Sequence, residues 1–134
     1  MPYGSVLTDV VQSSTAGTPP QFNDGNGTQI GTLCRAWANF GYVSSAITIR
    51  GSFNVSSVTR TGTGAYTVSF TNSMPDANYA AVIYNNADTG TTSGSWNNHY
   101  LGGAGSRTTT AITVVSANNA GITDSALFDV VVFR

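Results

Sequence analysis

The chain has 134 residues, of which only 8% are charged, and a formal net charge of -1. That length suits one domain able to bury its own core, while five scattered Arg in a near-neutral chain leave no electrostatic footprint for a nucleic-acid backbone. Lys and Glu are absent, so strong helix formers are scarce, and Ser, Thr, Asn and 15 Gly favour strands joined by turns. No run approaches the roughly 18 apolar residues of a spanning helix, and "MPYGSVLTDVV" lacks the basic start and apolar stretch of a signal peptide. A soluble protein made in a cytoplasm, without membrane insertion, is expected. A single cysteine, Cys34, excludes an internal disulfide.

In chain order, "SVLTDVV" reads as one strand within a Gly- and Pro-rich stretch that ends near residue 33. "CRAWANF" follows with Cys34, Ala36, Ala38 and Phe40 on one face and Arg35, Trp37 and Asn39 on the other. "AITIRGSFNV" repeats the pattern as a half-buried strand, with Ile47, Ile49, Phe53 and Val55 opposing Thr48, Arg50, Ser52 and Asn54. A hairpin runs through "TRTGTGA". Bringing Val58 onto the face of Tyr66, Val68 and Phe70 requires an odd-numbered loop, with Gly62 or Gly64 in the left-handed region. In "YTVSFTNSMPDANYAAVIY" the Met74-Pro75-Asp76-Ala77 segment reads as a corner, because Pro75 fixes its own φ and holds Met74 extended.

"YAAVIY" (79 to 84), "RTTTAITVVS" (107 to 116) and "ALFDVVVF" (126 to 133) complete a set of about seven or eight strands. Even spacing with turn signals between strands describes an all-β antiparallel sandwich. The last strand is apolar on both sides, with Phe128, Val130 and Val132 opposing Leu127, Val131 and Phe133, and so requires cover on both. Outward Trp37 and edges without Lys or Glu point the same way, to a closed homo-oligomer of cyclic symmetry.

Catalytic inventories are thin. His99 has Asp88, Ser93, Ser95 and Ser106 nearby, but there is no nucleophile elbow and a Gly- and Ser-rich loop would hold a triad poorly. Asp9, Asp24, Asp76, Asp88, Asp124 and Asp129 sit in turns or at strand ends, where local backbone hydrogen bonds favour Asp, and no Glu exists to serve as a general acid. "FNDGNGT" lacks the late bidentate Glu of a calcium loop and reads as a turn. Cys34 reads as a small core residue. No enzyme activity, metal or cofactor is expected. The segment "NNADTGTTSGSWNNHYLGGAGS" (85 to 106) is more suggestive, since Trp96, His99 and Tyr100 among Ser, Gly and Asn combine rigid aromatic surface with adaptable hydrogen bonding suited to a sugar. The opposing reading makes "HYL" one more strand with Trp96 buried at its start.

"GTPPQFNDGNGTQIGTLCRAWANF", "ITIRGSFNVSSVTRTGTGAYTVSFTNSMPDANYA" and the C-terminal "VVVFR" closely resemble a β-domain of tail-fibre-like proteins from phages of cyanobacteria and other aquatic bacteria. The resemblance covers most of residues 17 to 84 and the last few positions. "GYVSSA" (41 to 46) departs from the glycine-rich turn of the family, and residues 85 to 106 have no counterpart in it. The resemblance implies a virion protein, made in the host cytoplasm, in a trimeric β-module at a fibre tip with a role in host attachment. With a start methionine only about 16 residues ahead of the matching region, the expectation is either a detached tip or a small accessory protein on another part of the particle.

Together these readings predict an antiparallel β-sandwich, jelly-roll-like, in a homotrimer. Residues 1–16 form an N-terminal docking arm or extra strand for another virion protein, and 17–134 a single domain. Trp96, Asn97, Asn98, His99 and Tyr100 are the candidate contacts to a host-surface glycan; Arg35, Trp37, Arg50, Phe128, Val130 and Val132 are the candidate oligomer interface. The alternative is a capsid or baseplate decoration protein without host contact.

Overall fold

A computed structural model describes residues 8, 10–14, 20–86, 98–101, 106–118 and 121–134. The described residues contain strands and turns and no helix, and every strand pair is antiparallel. The chain divides into two units, 1–33 and 34–134.

In the first unit, β1 (Phe22–Asn23) pairs with β2 (Gln29–Gly31) around "DGNG". Asp24 Oδ1 accepts from the amides of Asn26 and Thr28, both at 2.9 Å, and Gly27 supplies a φ of +83°. The carboxylate closes an Asx-type turn, as the sequence predicts. The strand expected in "SVLTDVV" falls largely outside the described residues, and Thr8, Val10 and Val11 within it are not in a strand.

The second unit holds β3 (Cys34–Val43), β4 (Ala46–Phe53), β5 (Val55–Gly62), β6 (Ala65–Phe70), β7 (Ala80–Asn86), β8 (Asn98–Leu101), β9 (Ala111–Asn118), β10 (Gly121–Ile122) and β11 (Leu127–Phe133). One sheet has the order β4-β3-β11-β7; the other runs β10-β9-β6-β5, with β8 also paired to β9. A common core joins them. Phe40 of β3 stacks on Phe128 of β11 at 5.1 Å, and Tyr66 of β6 meets both rings edge-on at 5.5 Å. All three are fully buried, and Ala36, Ala38, Val68, Ile112, Val114, Val130 and Val132 fill in around them. Asn85 of β7 is buried too, its Nδ2 donating to Ser116 Oγ of β9, while its Oδ1 has no hydrogen-bond partner.

Corners and turns follow identifiable residues. Ser44 and Ser45, with φ of 51° and 64°, make the two-residue turn between β3 and β4, a conformation usually given to Asn-Gly. Asn54, also at positive φ, carries the chain from β4 in one sheet to β5 in the other; its amide donates to Arg35 O and Asn72 O and accepts from Asn72 N. The β5–β6 hairpin has the predicted parity: Val58, Tyr66, Val68 and Phe70 are all buried, Gly64 sits at φ +63°, and a bulge between Arg60 and Gly62 supplies the odd residue. The Met74–Ala77 corner is confirmed as such. Met74 and Tyr79 flank it as buried anchors, the Met74 amide donating to Thr109 O and the Tyr79 hydroxyl to Ala111 O.

Two strand expectations need correction. β9 begins at Ala111 rather than Arg107, because Thr108 Oγ1 accepts from the amides of Thr110 and Ala111 and folds "RTTT" into a turn. β4 is not a half-buried strand of uniform parity. A bulge at Arg50 pairs Phe40 with Ile49 but Asn39 with Gly51, so Phe53 ends opposite Trp37 on the other face, 55% exposed.

Candidate interaction surface

The sheet β4-β3-β11-β7 has one face in the core and one outside it. Strand registers align the outer side chains in rows, since residues directly opposite in an antiparallel pair share a face. One row runs Val82, Val131, Trp37, Phe53; the next runs Tyr84, Asp129, Asn39, Gly51. Val82, Tyr84, Trp37 and Phe53 are 60%, 53%, 40% and 55% exposed. Large apolar side chains gathered on one face, rather than scattered singly, mark a surface of interaction.

The glycine of the second row serves the tryptophan of the first. A Cβ on Gly51 would come within 3.2 to 3.3 Å of the Trp37 indole, so the bare backbone lets the ring lie across β4. Charges on this face are drawn into the sheet itself. Asn39 Nδ2 donates to Asp129 Oδ1, and Arg50 reaches back from its bulge to donate to Ala126 O at 2.6 Å and to Asn39 Oδ1 at 3.5 Å. Val82, Tyr84, Trp37 and Phe53 remain exposed beside the exposed Arg50.

Of the expected interface residues, Trp37 lies on this face, Arg50 sits at the β4 bulge, and half-buried Arg35 is the extra residue of a bulge between Cys34 and Ala36. Phe128, Val130 and Val132 do not belong with them. They are at most 2% exposed inside the chain's own core, and the outward set of β11 is Leu127, Asp129, Val131 and Phe133. Alternation distinguishes two faces of a strand but does not say which of two apolar faces is inner. The sequence reading also missed Val82 and Tyr84, although the alternation of "YAAVIY" against Ala81 and Ile83 carried the signal. Phe53 had none, because a bulge leaves no mark in the pattern.

No family model, curated protein or solved structure matches the chain.

Among the expected glycan contacts, Trp96 and Asn97 lie outside the described residues. Asn98, His99 and Tyr100 belong to β8, whose backbone pairs with β9 opposite Ala117, Ser116 and Val115, so "HYL" is a strand. β7 belongs to one sheet, and β8 pairs with β9 of the other.

A polar cluster that sequence reasoning did not single out lies where β5, β6 and the segment before β11 meet. Asp124 takes two hydrogen bonds from Arg60, at 2.9 and 2.8 Å, one from the Gly64 amide at 2.9 Å and one from the Tyr66 hydroxyl at 2.8 Å. The Arg60 guanidinium also lies 4.7 Å above the Tyr42 ring. Held first by Arg60, then by Gly64 and Tyr66 against the opposing effect of burial, the Asp124 carboxyl is lowered to about 2. Burial pushes the Tyr66 phenol well above its ordinary value. Asp124 is the knot of this end of the fold. At the corner, Asp76 accepts from Arg134 and from the Asn78 amide, and the Arg134 guanidinium holds its carboxyl below the usual range. Cys34 is half-buried, its thiol 3.4 Å from Ala36 O. Among the described residues no group of three or more His, Cys, Asp or Glu gathers as a metal site.

Proposed function

We propose that the chain is a structural protein of a bacteriophage particle: a short tail-fibre or fibre-tip module that attaches to a glycan on the host surface. The similarity of residues 17 to 84 and of the C-terminal strand to tail-fibre β-domains motivates the reading. The observation that carries it is the exposed apolar row on one sheet face, a surface made for assembly rather than for chemistry. A shared core between two antiparallel sheets supports a sandwich. The jelly-roll wiring has less support, since β3 with β4 and β5 with β6 are hairpins inside single sheets. The trimer rests on the resemblance. No catalytic role is assigned; Asp24, Asp76, Asp124 and Asp129 all serve turns, ion pairs or the sheet. Residues 1–16 would dock to another virion protein.

Glycan contact would fall to Trp96, Asn97, Asn98, His99 and Tyr100, the last three of which belong to β8. Purified protein should bind susceptible cells and Trp96→Ala should lose that binding; absence of binding by the unaltered protein counts against attachment. Linked copies would strengthen a weak individual site.

A second reading, a capsid or baseplate decoration protein, is favoured by the same apolar face, which would suit a partner within the particle. Copy number separates the two. Quantitative densitometry showing hundreds of copies per virion supports decoration, and a few dozen supports a fibre.

A further inference from the structure

We infer that the outer face of β4-β3-β11-β7 is covered by the same face of a second copy of this chain. The inference rests on the homo-oligomer part of the reading above and names the surface and its occupant.

The rows themselves are compatible with their own copy. In the order β4-β3-β11-β7 the midline falls between β3 and β11. Turning a copy over about an axis along that midline sets β11 of one chain over β3 of the other, and β7 over β4. Val82 then meets Phe53 of the second copy, and Val131 meets Trp37. Tyr84 comes over Gly51, where the indole of Trp37 lies. Asp129 comes over Asn39, an amide that can donate to it. No row sets like charges against each other. Aligned packing of two sheet faces is an ordinary way to form a core about 10 Å thick, and self-matching surfaces are what a twofold interface requires.

The extent lies near the lower bound of a specific interface. Four strands spaced about 4.8 Å apart, with about seven residues each at about 3.3 Å, give a flat footprint of roughly 450 Å² per copy, before side-chain relief is added. Two copies bury roughly 900 Å² as flat area, close to the approximately 1,000 Å² of a small specific interface. Three copies around one axis would not set these rows against one another, so the mass tests the pairing directly.

The test is the solution mass of the full chain by light scattering at about 100 µM, with a Phe53→Lys, Val82→Lys variant beside it. Both positions are more than half exposed, so the variant should keep the strand signature of the original in circular dichroism. Expected are two copies for the unaltered protein and one for the variant; three copies would overturn the twofold pairing. A monomeric unaltered protein overturns the inference and leaves the face to another component of the particle; a variant of unchanged mass overturns it equally. Should the Lys pair not fold, the Phe53→Ser, Val82→Ser pair is read in the same way. Oligomers that fail to bind cells count against attachment alone, and monomers that bind cells count against this pairing alone.

Discussion

The Tyr66 hydroxyl donates to Asp124 Oδ1 at 2.8 Å, tying the centre of the aromatic core to the carboxylate that clamps Arg60 and the Gly64 turn. The same phenol oxygen accepts from the Ser125 amide at 3.2 Å, just before β11. One side chain thus links packing between the sheets to the polar closure at their end, and the consequences of disturbing it can be stated.

Asp124→Asn should destabilise the protein at pH 7 by about 1–3 kcal/mol, the usual range for losing hydrogen bonds to a charged group. The pH dependence follows from the direction of the shift. Because the folded carboxyl is lowered to about 2 from an unfolded value near 3.9, its contribution is present above about pH 4 and is lost as pH falls through about 2. Urea unfolding of both proteins should therefore show a gap at pH 7 that narrows toward pH 2. A gap independent of pH would disprove the assignment.

Phe128→Ala should cost about 3–5 kcal/mol, since the ring is fully buried between Phe40 and Tyr66 and its removal leaves a cavity. Phe53→Ala, on the outer face, should change the stability of the isolated chain by less than about 1 kcal/mol. Denaturant midpoints measured at low protein concentration, where association does not contribute, would check the contrast.

Gly41→Ala should prevent folding or cost more than about 3 kcal/mol, because an added Cβ would lie 2.0 Å from the backbone oxygen of Ala126, which cannot move like a side-chain tip. Gly25→Ala meets nothing within 4 Å and serves as the control. Soluble yield and thermal midpoint should separate the two.

Ser44→Asn with Ser45→Gly should stabilise the protein by about 1 kcal/mol, since both positions hold positive φ, where Asn and Gly are at ease and Ser is not. A rise in thermal midpoint without change in circular dichroism is the expected result.

Legibility varied by region, for physical reasons. The core faces of β3 and β6 were readable because Ala36, Ala38, Phe40, Tyr66, Val68 and Phe70 alternate without interruption, and a strand repeats every two residues. The β5–β6 hairpin was readable down to its parity, because Val58 had to match a buried set. The candidate surface was half readable: Trp37 announced it, but alternation alone does not reveal that Phe128, Val130 and Val132 are the inner set of their strand.

By itself the sequence determined the class of the protein, all strands and turns, through the absence of Lys and Glu and the alternation of its apolar residues. It also determined three of the turns, where Asp24, Gly64 and Pro75 constrain the backbone locally. Only the tertiary structure decided which face of β11 is inside, where the bulges at Arg35 and Arg50 shift the register, and that Asp124 gathers Arg60, Gly64 and Tyr66 from 58 to 64 residues away along the chain. Local pattern carries the period of a strand, but pairing between distant strands sets its register and gives each face its neighbours.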